Sequence, residues 1–173
     1  MMRYFPLGLI LLLLASCAGP NTIRKTGLSY LSVGDSMPKP GSTFAGFPLT
    51  EEMEQQNGYS WRVCTLTYAQ GVVIAESDFA SQQKVNRIRV ETPELKVRGG
   101  LHVGQTLADM LGKTSKWKAR PFPAYQLIEM TSTKYPRMVF LLEEKGFDYS
   151  QIMEAIALEK LSSTAKLVGI VVL

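Results

Sequence analysis

Histidine and cysteine are scarce in this chain: 173 residues contain one histidine, His102, and two cysteines, Cys17 and Cys64. Metal centres draw on clusters of His, Cys and carboxylates, so no metal ligand set is expected. No cofactor signature stands out either. The stretch GGLHVG, residues 99–104, has glycines at its first, second and sixth positions and misses the G-x-G-x-x-G spacing of a pyrophosphate cradle. Long apolar runs are absent. The run at residues 7–15 falls well short of the roughly 20 residues needed to span a bilayer. Charge of one sign is also lacking, with 19 Lys and Arg against 15 Asp and Glu, a net +4. Such a mild excess without a basic stripe does not point to nucleic acid. The acidic pairs Glu51/Glu52 and Glu143/Glu144 are sequence neighbours, which point apart on an extended chain, so they read as solvated residues rather than paired carboxylates.

What is present begins with MMRYFPLGLILLLLASC. Arg3 precedes the apolar run, and the small residues Ala15 and Ser16 follow it, the layout of a secretory signal. The exit Leu14-Ala15-Ser16-Cys17 resembles a bacterial lipobox. That resemblance implies cleavage before Cys17 and acylation of Cys17, giving a palmitate-type membrane anchor. Ala18 in place of Asp implies, by the same analogy, the outer membrane with the body facing the periplasm. Residues 1–16 are then a signal peptide and residues 17–26 a lipidated tether, polar and carrying Gly19 and Pro20. Removal of the signal leaves 173 − 16 = 157 residues and, with Arg3 gone, 18 − 15 = +3 charges. With Cys17 acylated, Cys64 has no disulfide partner and is expected as a small buried apolar residue.

The body, residues 27–173, reads as a single α+β domain, mainly an antiparallel sheet with two helices. Residues 60–68 are rich in β-branched and aromatic types and are split from residues 72–77 by Ala-Gln-Gly, which predicts a hairpin. Residues 85–92 alternate, with Ile88 and Val90 on one face and Arg87 and Arg89 on the other, until Pro93. Residues 125–131 and 137–143 form a second expected hairpin, and residues 165–173 read as a strand covered on both faces. One helix is expected over residues 107–112, with Thr106 as N-cap and Asp109 completing a capping box. The other is expected over residues 148–161, where Tyr149, Ile152, Met153 and Ile156 follow helical spacing.

Two stretches share the pattern Leu-x-Val-Gly: Leu31, Val33, Gly34 and Leu101, Val103, Gly104. Three matching residues leave two degenerate half-repeats and chance both open. Each reads as a structural joint, an extended piece ending in a glycine that turns the backbone, with a Ser or Thr to cap the next segment. Gly34-Asp35-Ser36 resembles the nucleophile block of the GDS-type esterases. That family takes its base from a C-terminal D-x-x-H, which is missing here, and His102 stands mid-chain in the other joint. Ser60 in GYSWR lacks the final glycine of G-x-S-x-G. No enzyme is expected.

The second joint, preceded by RIRVETPEL, resembles small uncharacterised outer-membrane lipoproteins of unknown-function families over residues 84–111. More distantly it is similar to the SmpA/OmlA-type lipoproteins of the β-barrel assembly machinery. The Gly-x-Pro usual after that family's helix is replaced by GKTSKWK, so a barrel-assembly role is not implied. The sequence therefore points to a membrane-tethered, non-catalytic binding or scaffold module that docks an envelope protein. The alternative is recognition of an anionic envelope polymer or lipid, such as peptidoglycan or lipopolysaccharide. Its candidate residues are Lys113, Lys116, Lys118 and Arg120 around Trp117 in a basic loop, with Arg87 and Arg89 on one strand face.

Overall fold

The structure is a computed structural model that describes residues 21–114, 116–149 and 155–173. Eleven strands are assigned among these residues: β1 (Thr22–Ile23), β2 (Thr43–Phe44), β3 (Phe47–Gln56), β4 (Tyr59–Tyr68), β5 (Gly71–Ser77), β6 (Val85–Glu91), β7 (Lys96–Val97), β8 (Trp117–Phe122), β9 (Leu127–Ser132), β10 (Met138–Glu143) and β11 (Lys166–Val172). β1 and β7 form a small parallel pair, and the other nine make one antiparallel sheet in the order β2-β3-β4-β5-β6-β11-β10-β9-β8. The expected hairpins are there as β4–β5 and β9–β10, and β11 lies between β6 and β10.

The protein is mostly β, which corrects the α+β expectation. Only one α-helix, α1 (Leu107–Leu111), is assigned among the described residues, and the Thr106–Asp109 capping box starts it. The second expected helix is not formed in the described part of residues 148–161. Ile156 instead donates its N–H to the Ala119 carbonyl of β8, and Leu158–Lys160 is a single 3₁₀ turn; residues 150–154 lie outside the described residues. The physical reason is that apolar spacing reports burial, not helix as such. Ile156 and Leu161 are buried, and the segment covers the exposed edge of β8, which an open strand needs. The folded body also starts before residue 27, because β1 already pairs with β7 at Thr22 and Ile23.

One face of the sheet carries the core. Cys64 and Leu66 of β4, Ile88 and Val90 of β6, Phe140 of β10 and Ile170 of β11 are all fully buried there. The covering layer comes from the connections, through Leu31, Leu95, Leu101, Leu107, Met110 and Leu161. The opposite face carries a small apolar cluster of Trp61, Val63 and Ile74, with Glu76 and Leu141 also buried on it.

The two Leu-x-Val-Gly joints make matching bonds. Gly34 N–H donates to Val85 O and Val85 N–H returns to Asp35 O; Gly104 N–H donates to Leu167 O and Leu167 N–H returns to Gln105 O. Ser32 N–H is held by the Asp35 carboxylate at 2.8 Å, and His102 N–H by the Gln105 side-chain oxygen at 3.1 Å. Both glycines have positive φ, +93° and +95°. Each joint thus docks on one of the two adjacent central strands, β6 or β11. From that centre each half runs outward in the same sense, β6-β5-β4-β3 and β11-β10-β9-β8.

Candidate functional site

The seven residues expected to form a basic binding site are not gathered by the fold. Residues 117–122 form the edge strand β8 rather than a loop, and period-two alternation sends Trp117 and Ala119 to the core and Lys118 and Arg120 to the open face. Trp117 is 6 % exposed; its Nε1–H donates to Met110 O at 3.1 Å, and its ring stacks on Tyr135 and meets Phe140 edge-on. It is a core residue and offers no stacking surface to a ligand. Arg120 is ion-paired with Glu129, and Arg87 with Glu76. Arg89 Nε lies 2.8 Å from Glu91 Oε1, an ion pair without hydrogen-bond alignment. β6 and β8 are four strand positions apart, about 19 Å at the usual interstrand spacing, so Arg87 and Arg89 do not join Lys118 and Arg120. Lys113, Lys116 and Lys118 are exposed. Cys17 lies outside the described residues.

The other motifs resolve as structure. Nδ1 of His102 donates to its neighbour's carbonyl, Val103 O, at 2.9 Å. Ser36 sits in a bridge opposite Lys84. A Gly-Lys-Thr run that sequence reasoning passed over, Gly112-Lys113-Thr114, follows the C-terminal end of α1, where free carbonyls rather than N–H groups point outward, so it cannot cradle a phosphate. Among the described residues no group of three His, Cys, Asp or Glu side chains is placed to hold a metal ion. Cys64 is buried in the core, where burial raises its thiol pKa.

Two features that sequence reasoning missed stand at one end of the sheet, where β4, β6 and β10 begin. On the open face, Tyr59 and Phe79 are 62 % and 56 % exposed, yet their rings pack together at 5.6 Å. Phe79 also meets the buried Trp61 ring edge-on at 5.4 Å. The loop that presents Phe79 is fixed by Asp78, whose carboxylate accepts from Ser81 N–H, Ser81 Oγ and Lys84 N–H. Those bonds favour the ionised form and hold its pKa down to about 2. A single phenylalanine inside the polar run SDFASQQK is the sequence signal that could have exposed this feature.

On the core side of the same end lies a groove of about 690 Å³. Its apolar wall includes Ile23, Val97 and Met138, and Arg24, Lys25, Arg98 and Lys134 rim it with no carboxylate among the lining residues. All four cations are exposed. They come from three distant segments, so no local charge pattern announced them. Of the seven expected binding residues two touch this groove's lining from outside it: the Lys113 carbonyl takes a hydrogen bond from Lys134 Nζ at 2.7 Å, and the Trp117 ring stacks on Tyr135. Tyr135, 5 % exposed, lines the groove, and its hydroxyl has no hydrogen-bond partner among the described residues. The same hydroxyl lies 3.2 Å from where a side chain at Gly99 would begin. Burial raises the Tyr135 pKa, so the hydroxyl keeps its proton and is a donor.

No protein-family model matches the chain. No curated protein matches it in sequence. The fold is similar to that of a solved structure, the uncharacterized protein yfeY from Escherichia coli, with a TM-score of 0.65 at 13 % identity. The match covers 87 % of this chain and 98 % of that one, and likeness at this identity shows a shared fold and nothing about activity.

Proposed function

We propose that the chain is a lipid-tethered, non-catalytic module of the bacterial outer membrane that docks a protein partner in the periplasm through the Tyr59–Trp61–Phe79 cluster. The observation that carries this reading is the exposure of two mutually packed aromatic rings, Tyr59 and Phe79, with Phe79 resting on the buried Trp61. Aromatic side chains supply much of the energy of protein interfaces at little conformational cost, particularly where their geometry is fixed beforehand. Here Trp61 supports Phe79 from below, and Asp78 fixes the loop. The tether part of the reading rests on the lipobox at Leu14–Cys17. Among the described residues no helix is long and apolar enough to cross a membrane, and a lipid anchor needs none.

The basic-loop reading loses support, because its aromatic residue is internal and three of its arginines already have carboxylate partners. The docking reading is tested with a photo-reactive amino acid placed at Phe79, at Tyr59 or, as a control at the opposite end of the sheet, at Lys145, in cells carrying the acylated chain. Positions 79 and 59 are expected to give the same protein adduct, with none from 145. Adducts from 79 that match those from 145, or adducts to lipid alone, would overturn the reading.

A further inference from the structure

We infer that the cation-rimmed groove between the β1–β7 pair and the β9–β10 turn is a seat for anionic phospholipid headgroups of the leaflet to which the chain is tethered. The inference rests on the lipid-anchor part of the proposed function and is independent of the aromatic cluster. Two lines of observation meet in it.

The first is chemical complementarity. Arg24, Lys25, Arg98 and Lys134 put four positive charges around an apolar wall, with no acid among the lining residues. A phospholipid offers the matching pair, a phosphate beside hydrocarbon. Long cationic side chains suit this boundary, because their stems can lie on apolar surface while the charges reach the phosphates. The Tyr135 hydroxyl adds a donor at the groove wall that no group among the described residues satisfies. Unpaired buried donors are rare because each costs free energy, so a nearby phosphate oxygen is a fitting acceptor.

The second is the length of the leash. Thr22 opens β1, so only five residue steps separate it from Cys17. A fully extended chain covers at most about 3.6 Å per step, or roughly 18 Å. An acylated Cys17 therefore holds the start of β1 no more than roughly 18 Å from the bilayer surface, with the groove that Thr22, Arg24 and Lys25 line beside it. That leash lets the cations come within a screening length of an anionic surface, about 8 Å at physiological ionic strength, where attraction acts.

The test is amine-reactive footprinting of the full-length chain in three kinds of vesicle, one of phosphatidylcholine alone, one with phosphatidylglycerol replacing part of it and one with lipopolysaccharide replacing part of it. Intact mass reports acylation in the same sample. Lys25 and Lys134 should label several-fold more slowly in the phosphatidylglycerol vesicles, with Lys145 and Lys166 at the opposite end unchanged, and molar salt should remove the difference. R24Q/R98Q should also diminish it, since each cation near an anionic surface changes occupancy roughly fivefold. These side chains are exposed, so the substitutions leave the core intact. Equal labelling of Lys25 and Lys134 in all three vesicles on an acylated chain overturns the groove assignment and leaves the tether standing. Protection of an unacylated chain supports the groove and removes the tether. Protection by lipopolysaccharide vesicles but not by phosphatidylglycerol assigns the groove to another occupant and overturns the proposal.

Discussion

Trp117 stands between Lys116 and Lys118 in sequence, yet its ring stacks on Tyr135 and its indole N–H is satisfied by Met110. Replacing a packed ring of this size by alanine costs about 3–5 kcal/mol. Trp117→Ala is expected to lower the denaturant midpoint accordingly; a change near zero would return the ring to the surface. Tyr135 has the opposite character, a buried hydroxyl without a partner among the described residues. Tyr135→Phe removes an unsatisfied donor, so stability should rise by about 1 kcal/mol, and a loss of that size would show that the hydroxyl has a partner in the free protein. Asp78 gives a pH signature. Its folded pKa of about 2 lies below the unfolded value, so its contribution is fully present above the ordinary Asp range and is lost as pH falls through the folded value. The stability gap between wild type and Asp78→Asn should therefore hold at neutral pH and close between about pH 4 and pH 2. A gap independent of pH in acid unfolding would contradict the assignment.

At the scale of elements, the joints are the most exacting features. Gly34 and Gly104 have φ of +93° and +95°, and a side chain added at either meets no atom within 4 Å. The cost of Gly34→Val or Gly104→Val is therefore conformational alone, about 1–2 kcal/mol each. Thr106→Ala removes the cap of α1 and should cost about 1 kcal/mol. Denaturant midpoints check all three, and neutral substitutions would show that the joints bear no strain. The joints, the capping box and the two hairpins were legible because glycine, Thr-x-x-Asp and β-branched runs act locally. β3 was not legible. Its burial leaves seven consecutive exposed positions after Leu49, and its charges, Glu51, Glu52 and Glu54, suit an edge strand that must resist pairing with other chains. β8 did show its alternation, Trp117 and Ala119 in, Lys118 and Arg120 out, but the density of charge made it resemble a loop. The expected second helix failed for the converse reason, since Ile156 and Leu161 are buried by covering a strand edge.

For the whole molecule, the sheet grows outward from β6 and β11, and both candidate sites fall at the end where β1 enters the fold. The groove was invisible in sequence because Arg24, Arg98 and Lys134 are brought together only by β1 pairing with β7 beside the β9–β10 turn. Under the proposed lipid anchor the aromatic cluster would lie near the bilayer, and the proposed partner would present a membrane-proximal surface. The tether underlies both readings, and one measurement tests it most directly: intact mass of the wild-type chain and of Cys17→Ser recovered from separated membrane and soluble fractions. A membrane-bound wild type that begins at Cys17 and carries acyl chains is expected, together with a Cys17→Ser chain that is unprocessed or released. An unmodified, soluble wild-type chain would contradict it.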